Sequence, residues 1–323
     1  MCTRIFWTDN GQANVVARTL DYSHESQAVV RWCPAGLVHA EGAGRVGWTS
    51  TYASLVVLEL DRVAVEGFNE AGLGAHALMD TEASYPPLRG DRPRLRNTDW
   101  VSYVLDNFAT VAEAVEAHRN LQIEPVALEL PTPQGPAEVV VGMHLIIEDD
   151  SGATAVFEFV DGQLVIAQGR DIPVVANAPA LPAQLANLAR YRPFGGELPP
   201  PGDITSLDRF VRASYALHYL PQPTSVAQTV AYVSQAIMQA AKSPGIPYPD
   251  GSDYPTRWIT VDDLTNRVLY FWDRESPSAV WVRLDGLVAQ GQGQLRELSL
   301  RREGLAGDVT EELADASAAP DGG

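Results

Sequence analysis

The sequence has 323 residues, of which 46% are hydrophobic and 20% are charged, so the chain can bury a large core and is not intrinsically disordered. Its formal net charge of −18 repels DNA, RNA and anionic lipid, which argues against electrostatic binding of nucleic acid. Its two cysteines are too few for a disulfide framework, and it contains no apolar run of about 18 residues that would span a membrane.

The first third of the chain is typical of strands and turns. Residues 2–8 and 12–18 flank Asp9-Asn10-Gly11 and predict a tight hairpin, because an Asn-Gly pair readily adopts positive φ angles. Helical spacing follows at about 98–108, and a second helix over 110–119 begins with Thr110 and Glu113 at the spacing of a capping box. Further strands in this part are predicted at 27–33, 48–61 and 73–79.

The remainder alternates long blocks of strand and helix. Strands are predicted at 137–149, 153–160, 164–168, 267–273 and 279–284, and helices at about 181–190, 205–219 and 224–242. The order of strands, then helices, then strands, without regular βαβ alternation, predicts an α+β layered domain rather than a Rossmann sheet. We assign residues 2–305 to one domain and predict that the acidic tail, residues 306–323, is disordered.

Common catalytic and metal-binding motifs are absent from the sequence. It contains no GxGxxG, GxxxxGK[ST], HExxH or GxSxG pattern. The six histidines include no pair four residues apart, so a histidine-built metal site is not predicted. His144 lies in an apolar strand and is interpreted as a core histidine, whereas the role of His76 is left open.

The position of Cys2 is the strongest indication of chemistry. If Met1 is removed, one residue carries both a thiol and a free α-amine, and an α-amine titrates near pH 8. Nucleophile and base can then come from the same residue, since the amine can take the thiol proton and return it to a leaving group.

The motifs around Cys2 identify a family. In chain order these motifs are Met1-Cys2-Thr3-Arg4, Arg18-Thr19-Leu20-Asp21, Phe68 to Gly74, Asn177-Ala178-Pro179, Asp208 to Tyr215 and Asp263 to Arg267. On these motifs, and in the same order, the chain resembles the choloylglycine hydrolases over about residues 2–290. These are N-terminal-nucleophile amidases that include penicillin V acylases and bile salt hydrolases. Residues 104–110 and 208–215 most resemble the Gram-negative type of penicillin V acylase, a branch that is also associated with cleavage of acyl-homoserine lactones.

The resemblance implies an αββα sandwich of two antiparallel sheets between layers of helices. It also implies roles for individual residues. Cys2 would be nucleophile and base, Arg18 would favour the thiolate, and Asp21 would hold the α-ammonium. Asn177 would donate its side-chain amide to the oxyanion, with a second donor from the backbone near Met79, and Arg209 would complete the charged cluster.

Each of these residues also has a structural interpretation. Arg18 and Asp21, three residues apart, are compatible with an ordinary surface ion pair. Asn177 before Ala-Pro is compatible with a turn, and Arg209 with the flank of a buried helical stripe. Asn69 is interpreted as a hairpin residue and Cys33 as a small apolar residue.

The expected reaction is hydrolysis of a linear N-acyl amide, either penicillin V or an N-acyl-homoserine lactone. Bile salt hydrolases commonly have asparagine where this chain has Met79, and many relatives have serine at Ala178, so bile salts are the second expectation. The third is a non-catalytic relative that binds acyl ligands. The resemblance implies no metal or organic cofactor, a small-molecule substrate and a homotetramer.

The start of the sequence bears on where the protein acts. With Met1 directly before Cys2, the sequence as written predicts a cytoplasmic protein in which methionine removal exposes Cys2. The alternative is a periplasmic protein in which Met1 replaces a signal peptide.

Overall fold

Two β-sheets packed face to face form the centre of the protein, in a computed structural model that describes residues 2–40, 42, 44–59, 62–130, 136–248, 251–289 and 293–316. The strands, in chain order, are β1 (Cys2–Trp7), β2 (Val15–Asp21), β3 (Val29–Cys33), β4 (Val38–His39), β5 (Trp48–Thr49), β6 (Ser54–Glu59), β7 (Val63–Asn69), β8 (Gly74–Met79), β9 (Arg94–Arg96), β10 (Gln122–Glu124), β11 (Ala127–Leu130), β12 (Ala137–Val140), β13 (Met143–Glu148), β14 (Thr154–Val160), β15 (Gln163–Gly169), β16 (Val174–Ala176), β17 (Thr256–Asp263), β18 (Val268–Asp273), β19 (Ala279–Arg283), β20 (Arg296–Ser299), β21 (Gly307–Asp308) and β22 (Ala314–Asp315).

The first sheet has the strand order β16-β1-β2-β17-β18-β19-β21, and its pairs are antiparallel except for β19 and β21. The second sheet has the order β15-β14-β13-β8-β7-β6-β3-β20-β22 and is antiparallel throughout. Both sheets bring strands from the two halves of the chain together, so residues distant in sequence meet between them.

Helices cover the outer faces of both sheets. They are α1 (Trp100–Asn107), α2 (Val111–His118), α3 (Leu181–Leu188), α4 (Ser206–His218), α5 (Val226–Met238) and α6 (Leu284–Ala289), with 3₁₀ turns at Asn97–Asp99 and Thr310–Glu312. α4 and α5 pack on β1, β2, β16 and β17, whereas α1 packs on β6 to β8 and α2 on β14. The helix–sheet–sheet–helix order confirms the predicted α+β sandwich. No helix in the described ranges is long and apolar enough to cross a membrane.

The apolar core forms two layers. One fills the space between the sheets and continues under α4 and α5, and the other lies between the second sheet and α1 and α2. The predicted capping box is present at α2, where Thr110 Oγ1 accepts from the Glu113 N–H at 3.2 Å and the Glu113 carboxylate accepts from the Thr110 N–H at 3.3 Å.

The loop of the first hairpin is longer than predicted. Its strands β1 and β2 pair from Cys2 with Leu20 to Trp7 with Val15, so residues 8–14 connect them instead of a tight Asn-Gly turn. Asn10 explains the difference, because its carboxamide donates to the carbonyl of Ala13 at 2.7 Å and accepts from the Ala13 N–H at 3.0 Å. These bonds stabilise a wide loop. β2 therefore begins later than predicted, at Val15, and it extends to Asp21.

The prediction missed strand β17 and misjudged the tail. β17 lies between β2 and β18 in the first sheet, although its sequence TRWITVDD has charged residues near both ends. The tail is ordered from 306 to 316, contrary to the prediction, because Val309 and Leu313 are buried and β21 and β22 pair with β19 and β20. Residues 317–323 of the predicted tail lie outside the described residues.

Candidate active site

The thiol of Cys2 lies between the two sheets, at the first residue of β1. Cys2 is buried, and its Sγ is 3.6 Å from Arg18 Nη2. Its backbone N–H donates to the side-chain oxygen of Asn177. The pairing of β1 with β2 and with β16 therefore brings a thiol, a guanidinium and a carboxamide to one point from three strands.

Arg18 is held by the second sheet. Its Nη1 donates to the carbonyl of Val65 at 2.7 Å and its Nη2 to the carbonyl of Ala77 at 2.8 Å, and Glu66 Oε2 lies 3.3 Å from Nη1. The indole of Trp258 stacks near the guanidinium, with 5.4 Å between the guanidinium carbon and the ring centroid. Although burial acts to lower it, the pKa of Arg18 is raised by Cys2 and Glu66, so the guanidinium stays charged.

Asp21 lies apart from Arg18 and pairs with another cation. Residues three apart on a strand point to opposite faces, and both side chains are buried, so the surface ion-pair interpretation is wrong. The Asp21 carboxylate forms an ion pair with Arg209 and accepts from the hydroxyl of Thr256 at 2.6 Å. Asp21 is thereby fixed on the helix-facing side of the first sheet, one residue beyond Leu20, the partner of Cys2.

Arg209 is completely buried and does more than flank the apolar stripe of α4. Its Nε donates to the carbonyl of Ala240 at 2.8 Å, and its Nη2 lies 3.2 Å from Thr3 Oγ1 and 3.3 Å from Thr19 Oγ1. Burial opposes ionisation, but Asp21 raises the pKa of Arg209. The guanidinium therefore joins α4 to both strands that carry Cys2 and Asp21.

Asn177 and Met79, the two predicted oxyanion positions, are adjacent. The carboxamide nitrogen of Asn177 donates to the Met79 carbonyl. The backbone of Asn177 is anchored by Ser206, whose hydroxyl donates to its carbonyl at 2.7 Å, and by Gln184 at 2.9 Å. Asn177 begins a bend over residues 177–179 and also contacts Cys2, so the turn interpretation and a place in the site both apply.

A small apolar cavity opens beside the thiol. It has a volume of about 70 Å³, and its described walls include Leu20, Val65, Leu130 and Met143 together with Cys2. Aliphatic walls next to a thiol and a guanidinium suit a ligand with an apolar group joined to a polar, reactive one.

The comparison with known families agrees with this geometry. The model of the linear amide C–N hydrolases, choloylglycine hydrolase family, matches residues 2–293. The chain belongs to this family. The hydrolase is 32% identical over 308 residues to a penicillin V acylase of Pectobacterium atrosepticum, a match that covers 88% of this chain and 81% of the relative.

Other similar proteins include both penicillin V acylases and bile salt hydrolases. A solved structure of penicillin V acylase from Agrobacterium tumefaciens is 31% identical, with a TM-score of 0.86 and 98% of both chains covered. A bile salt hydrolase/transferase of Bifidobacterium longum is 25% identical over 71% of this hydrolase and 78% of the relative. A structure of a conjugated bile acid hydrolase variant from Clostridium perfringens, at 18% identity, shares the fold, with a TM-score of 0.76 and coverage of 93% of this chain and 97% of that one. These matches confirm the predicted enzyme class, an amide hydrolase.

Sequence reasoning missed a set of charged residues that contact the site from behind. Glu66, which touches Arg18, lies 3.5 Å from His76 Nδ1, and His76 Nε2 lies 2.5 Å from Glu148. Glu148 in turn forms an ion pair with Arg4. The only signal in the sequence was a charged residue within otherwise apolar strands, as in VAVEGFN and MHLIIE.

A second missed contact involves the one lysine of the hydrolase, Lys242. Its side chain is fully buried, pairs with Asp253 and lies 5.3 Å from the centroid of the Tyr248 ring. Its backbone N–H donates to Thr256 Oγ1 at 2.8 Å, so the segment that follows α5 is joined to the hydroxyl that binds Asp21. Burial raises the pKa of Tyr248 to about 12, with Arg209 opposing the shift.

Proposed function

We propose that this protein is a cysteine N-terminal-nucleophile amidase that hydrolyses an N-acyl amide with an apolar acyl group, such as penicillin V or an N-acyl-homoserine lactone. The observation that carries the proposal is the placement of Cys2 at the wall of an apolar cavity, with its thiol 3.6 Å from the Arg18 guanidinium. The backbone nitrogen of Cys2 donates a hydrogen bond to the side-chain oxygen of Asn177. Removal of Met1 would turn that nitrogen into the α-amine of the nucleophile.

The first half of the reaction forms an acyl-enzyme. The α-amine of Cys2 takes the thiol proton, and the sulfur bonds to the amide carbonyl carbon. The oxyanion accepts hydrogen bonds from the carboxamide of Asn177 and from a backbone N–H near Met79. To donate to the oxyanion, the carboxamide gives up its hydrogen bond to the Met79 carbonyl. Collapse of this tetrahedral intermediate breaks the C–N bond of the substrate, and the amine leaves with the proton from the α-ammonium of Cys2.

The second half releases the acid. Water adds to the thioester, and its proton passes to the α-amine of Cys2. Collapse of the second tetrahedral intermediate expels the sulfur, which takes the proton back from the α-ammonium, and the carboxylic acid is released. Arg18 favours the thiolate both when it attacks and when it leaves, because a cation lowers the free energy of a nearby anion.

Asp21 and Arg209 support the α-ammonium in this scheme. The carboxylate of Asp21 lies between Arg209 and Thr256 and can hold the α-ammonium of Cys2 in line with the thiol. Arg209 also contacts Thr3, which follows the nucleophile on β1, and Thr19, which precedes Leu20 on β2. Arg209 is therefore a positioning residue.

The choice of substrate rests on the cavity and on the relatives. The aliphatic walls of the cavity suit an apolar acyl group, such as an alkyl chain or a phenoxyacetyl group. The relatives at 32% and 31% identity carry the name penicillin V acylase, whereas the bile salt hydrolase/transferase is 25% identical. The relatives therefore support penicillin V ahead of conjugated bile salts, and the cavity walls are compatible with an acyl-homoserine lactone.

The test is release of primary amine from a panel of penicillin V, acyl-homoserine lactones of several chain lengths and glycine- and taurine-conjugated bile salts, after intact mass shows loss of Met1. Release from the first two classes is expected. A preference for bile salts would overturn the substrate, and silence across the panel would favour a non-catalytic acyl-binding protein.

The nucleophile is tested with matched cysteine variants. Cys2→Ala is expected to abolish turnover with little change in melting temperature, whereas Cys33→Ala, which replaces the other cysteine, should retain it. Comparable activity in Cys2→Ala would refute the mechanism. The predicted tetramer is a separate proposal, and light scattering of the active protein would test it.

A further inference from the structure

Five charged side chains form a continuous buried row behind the nucleophile. Arg18, Glu66, His76, Glu148 and Arg4 each have at most 1% of their surface exposed. Such groups are rarely buried because each loses its hydration, so a row of five requires a compensating arrangement.

Their contacts alternate in sign from the thiol inward. Arg18 lies between Cys2 Sγ at 3.6 Å and Glu66 at 3.3 Å. His76 lies between two carboxylates, 3.5 Å from Glu66 and 2.5 Å from Glu148. Although burial opposes it, the negative charges of Glu148 and Glu66 favour the imidazolium and raise the pKa of His76 to about 9.

Strand register explains why the row needs both sheets. Arg4 and Arg18 are directly opposite on β1 and β2, where two like charges would repel each other. The second sheet places Glu66 opposite His76 and carries Glu148 on the same face, so its carboxylates lie against the two guanidinium groups. Packing of the sheets thus converts an unfavourable pair into an alternating row.

We propose that Glu66 and His76 are positioning residues that set the charge experienced by the Cys2 thiol through Arg18. Glu66 fixes the guanidinium and weakens its positive potential at the sulfur, and His76 offsets Glu66 and so restores part of that potential. The role in catalysis rests on the proposed function, whereas the effect on the thiol does not.

Several other groups face Cys2 and Arg18 and must be kept constant in a test. They are the α-amine of Cys2, Asp21 on β2, Glu59 on β6, Asp262 on β17 and Arg209 on α4, and Tyr248 after α5 acts on Asp21 and Arg209. Asp262 offers a control, because burial, reinforced by Glu66, raises its pKa well above the ordinary range and so favours the neutral carboxyl.

The experiment measures the rate at which iodoacetamide alkylates Cys2 as a function of pH, in a Cys33→Ser background and with intact mass as the readout. Glu66→Gln removes a negative charge beside Arg18, so the midpoint of the profile should move to lower pH. His76→Gln removes a positive charge, so its midpoint should move to higher pH. Each shift is expected to be about half a pH unit, or roughly threefold in rate below the midpoint, and Asp262→Asn should stay at the parent value near neutral pH.

Opposite shifts from two substitutions that each leave a neutral side chain distinguish electrostatic control from a structural role, which would move both profiles alike or neither. Unchanged midpoints, or shifts in the same direction, would overturn the proposal. If Glu66→Gln fails to fold, Glu148→Gln should shift the midpoint the same way by a smaller amount. Because alkylation needs no substrate, opposite shifts in a protein that cleaves nothing on the panel would refute the proposed function alone.

Discussion

Replacing His76 by glutamine should change how the stability of the protein depends on pH. Burial alone would lower the pKa of His76, but the charges and hydrogen bonds of Glu148 and Glu66 outweigh it and raise that pKa to about 9. In the unfolded chain the pKa returns to about 6.5. The folded protein therefore binds one more proton than the unfolded chain between these two pH values, and stability falls as the pH rises.

The size of the effect follows from the two pKa values. Each pKa unit corresponds to about 1.4 kcal/mol, so the rise from 6.5 to about 9 contributes about 3 kcal/mol to the free energy of unfolding. This contribution is complete below about pH 6.5 and is lost as the pH passes through 9. His76→Gln lacks the titrating group and should lack this dependence.

The assay is urea denaturation of the wild type and of His76→Gln from pH 6 to pH 10. The difference in their free energies of unfolding should shrink by about 3 kcal/mol across this range, since groups that titrate in both proteins cancel. His24→Gln, at a partly exposed position, serves as the matched control and should follow the wild type. A constant difference between wild type and His76→Gln would show that His76 is not protonated in the folded protein.

Three further substitutions probe other parts of the fold. Gly67→Ala would place a Cβ 2.1 Å from a backbone oxygen of the neighbouring strand, so a loss of at least about 2 kcal/mol in urea denaturation is expected, against about 1 kcal/mol for Gly162→Ala, where nothing lies within 4 Å. Asp253→Asn leaves the buried ammonium of Lys242 without its anion and should cost about 2 kcal/mol, and adding Lys242→Met should recover part of that loss; no recovery would contradict the pairing. Asn177→Ala should lower kcat/KM by about 10²–10³, because one oxyanion donor contributes about 3–4 kcal/mol, whereas an unchanged kcat/KM would place the donor elsewhere.

Much of the fold could be predicted from the sequence, because local patterns determined it. The apolar runs of β8 and β14 and the capping box of α2 were visible in sequence order. β17 was not, since its ends carry Arg257, Asp262 and Asp263, and only the pairing with the two flanking strands buries the two aspartates. Its place in the sheet depends on pairing with β2, more than 200 residues earlier in the chain.

The candidate site could likewise be predicted from the sequence only in part. Cys2, Arg18, Asp21, Asn177 and Arg209 were found through ordered motifs, and the structure brings all five to the junction of β1, β2, β16 and α4. Glu66 and Glu148 were missed because a carboxylate in a strand is ordinarily a solvent-facing residue. Their partners Arg18 and Arg4 lie on the other sheet, so only the packing of the two sheets reveals the contacts.

The scarcity of lysine has a consequence for handling the protein. Lys242 is the one lysine in the sequence, and its ammonium is buried against Asp253. Once Met1 is removed, the α-amine of Cys2 is the one other primary amine, and Cys2 is buried at the wall of the apolar cavity. Amine coupling would therefore either fail to attach the protein to a support or modify the proposed general base, and immobilisation should instead use surface carboxylates or a fused tag.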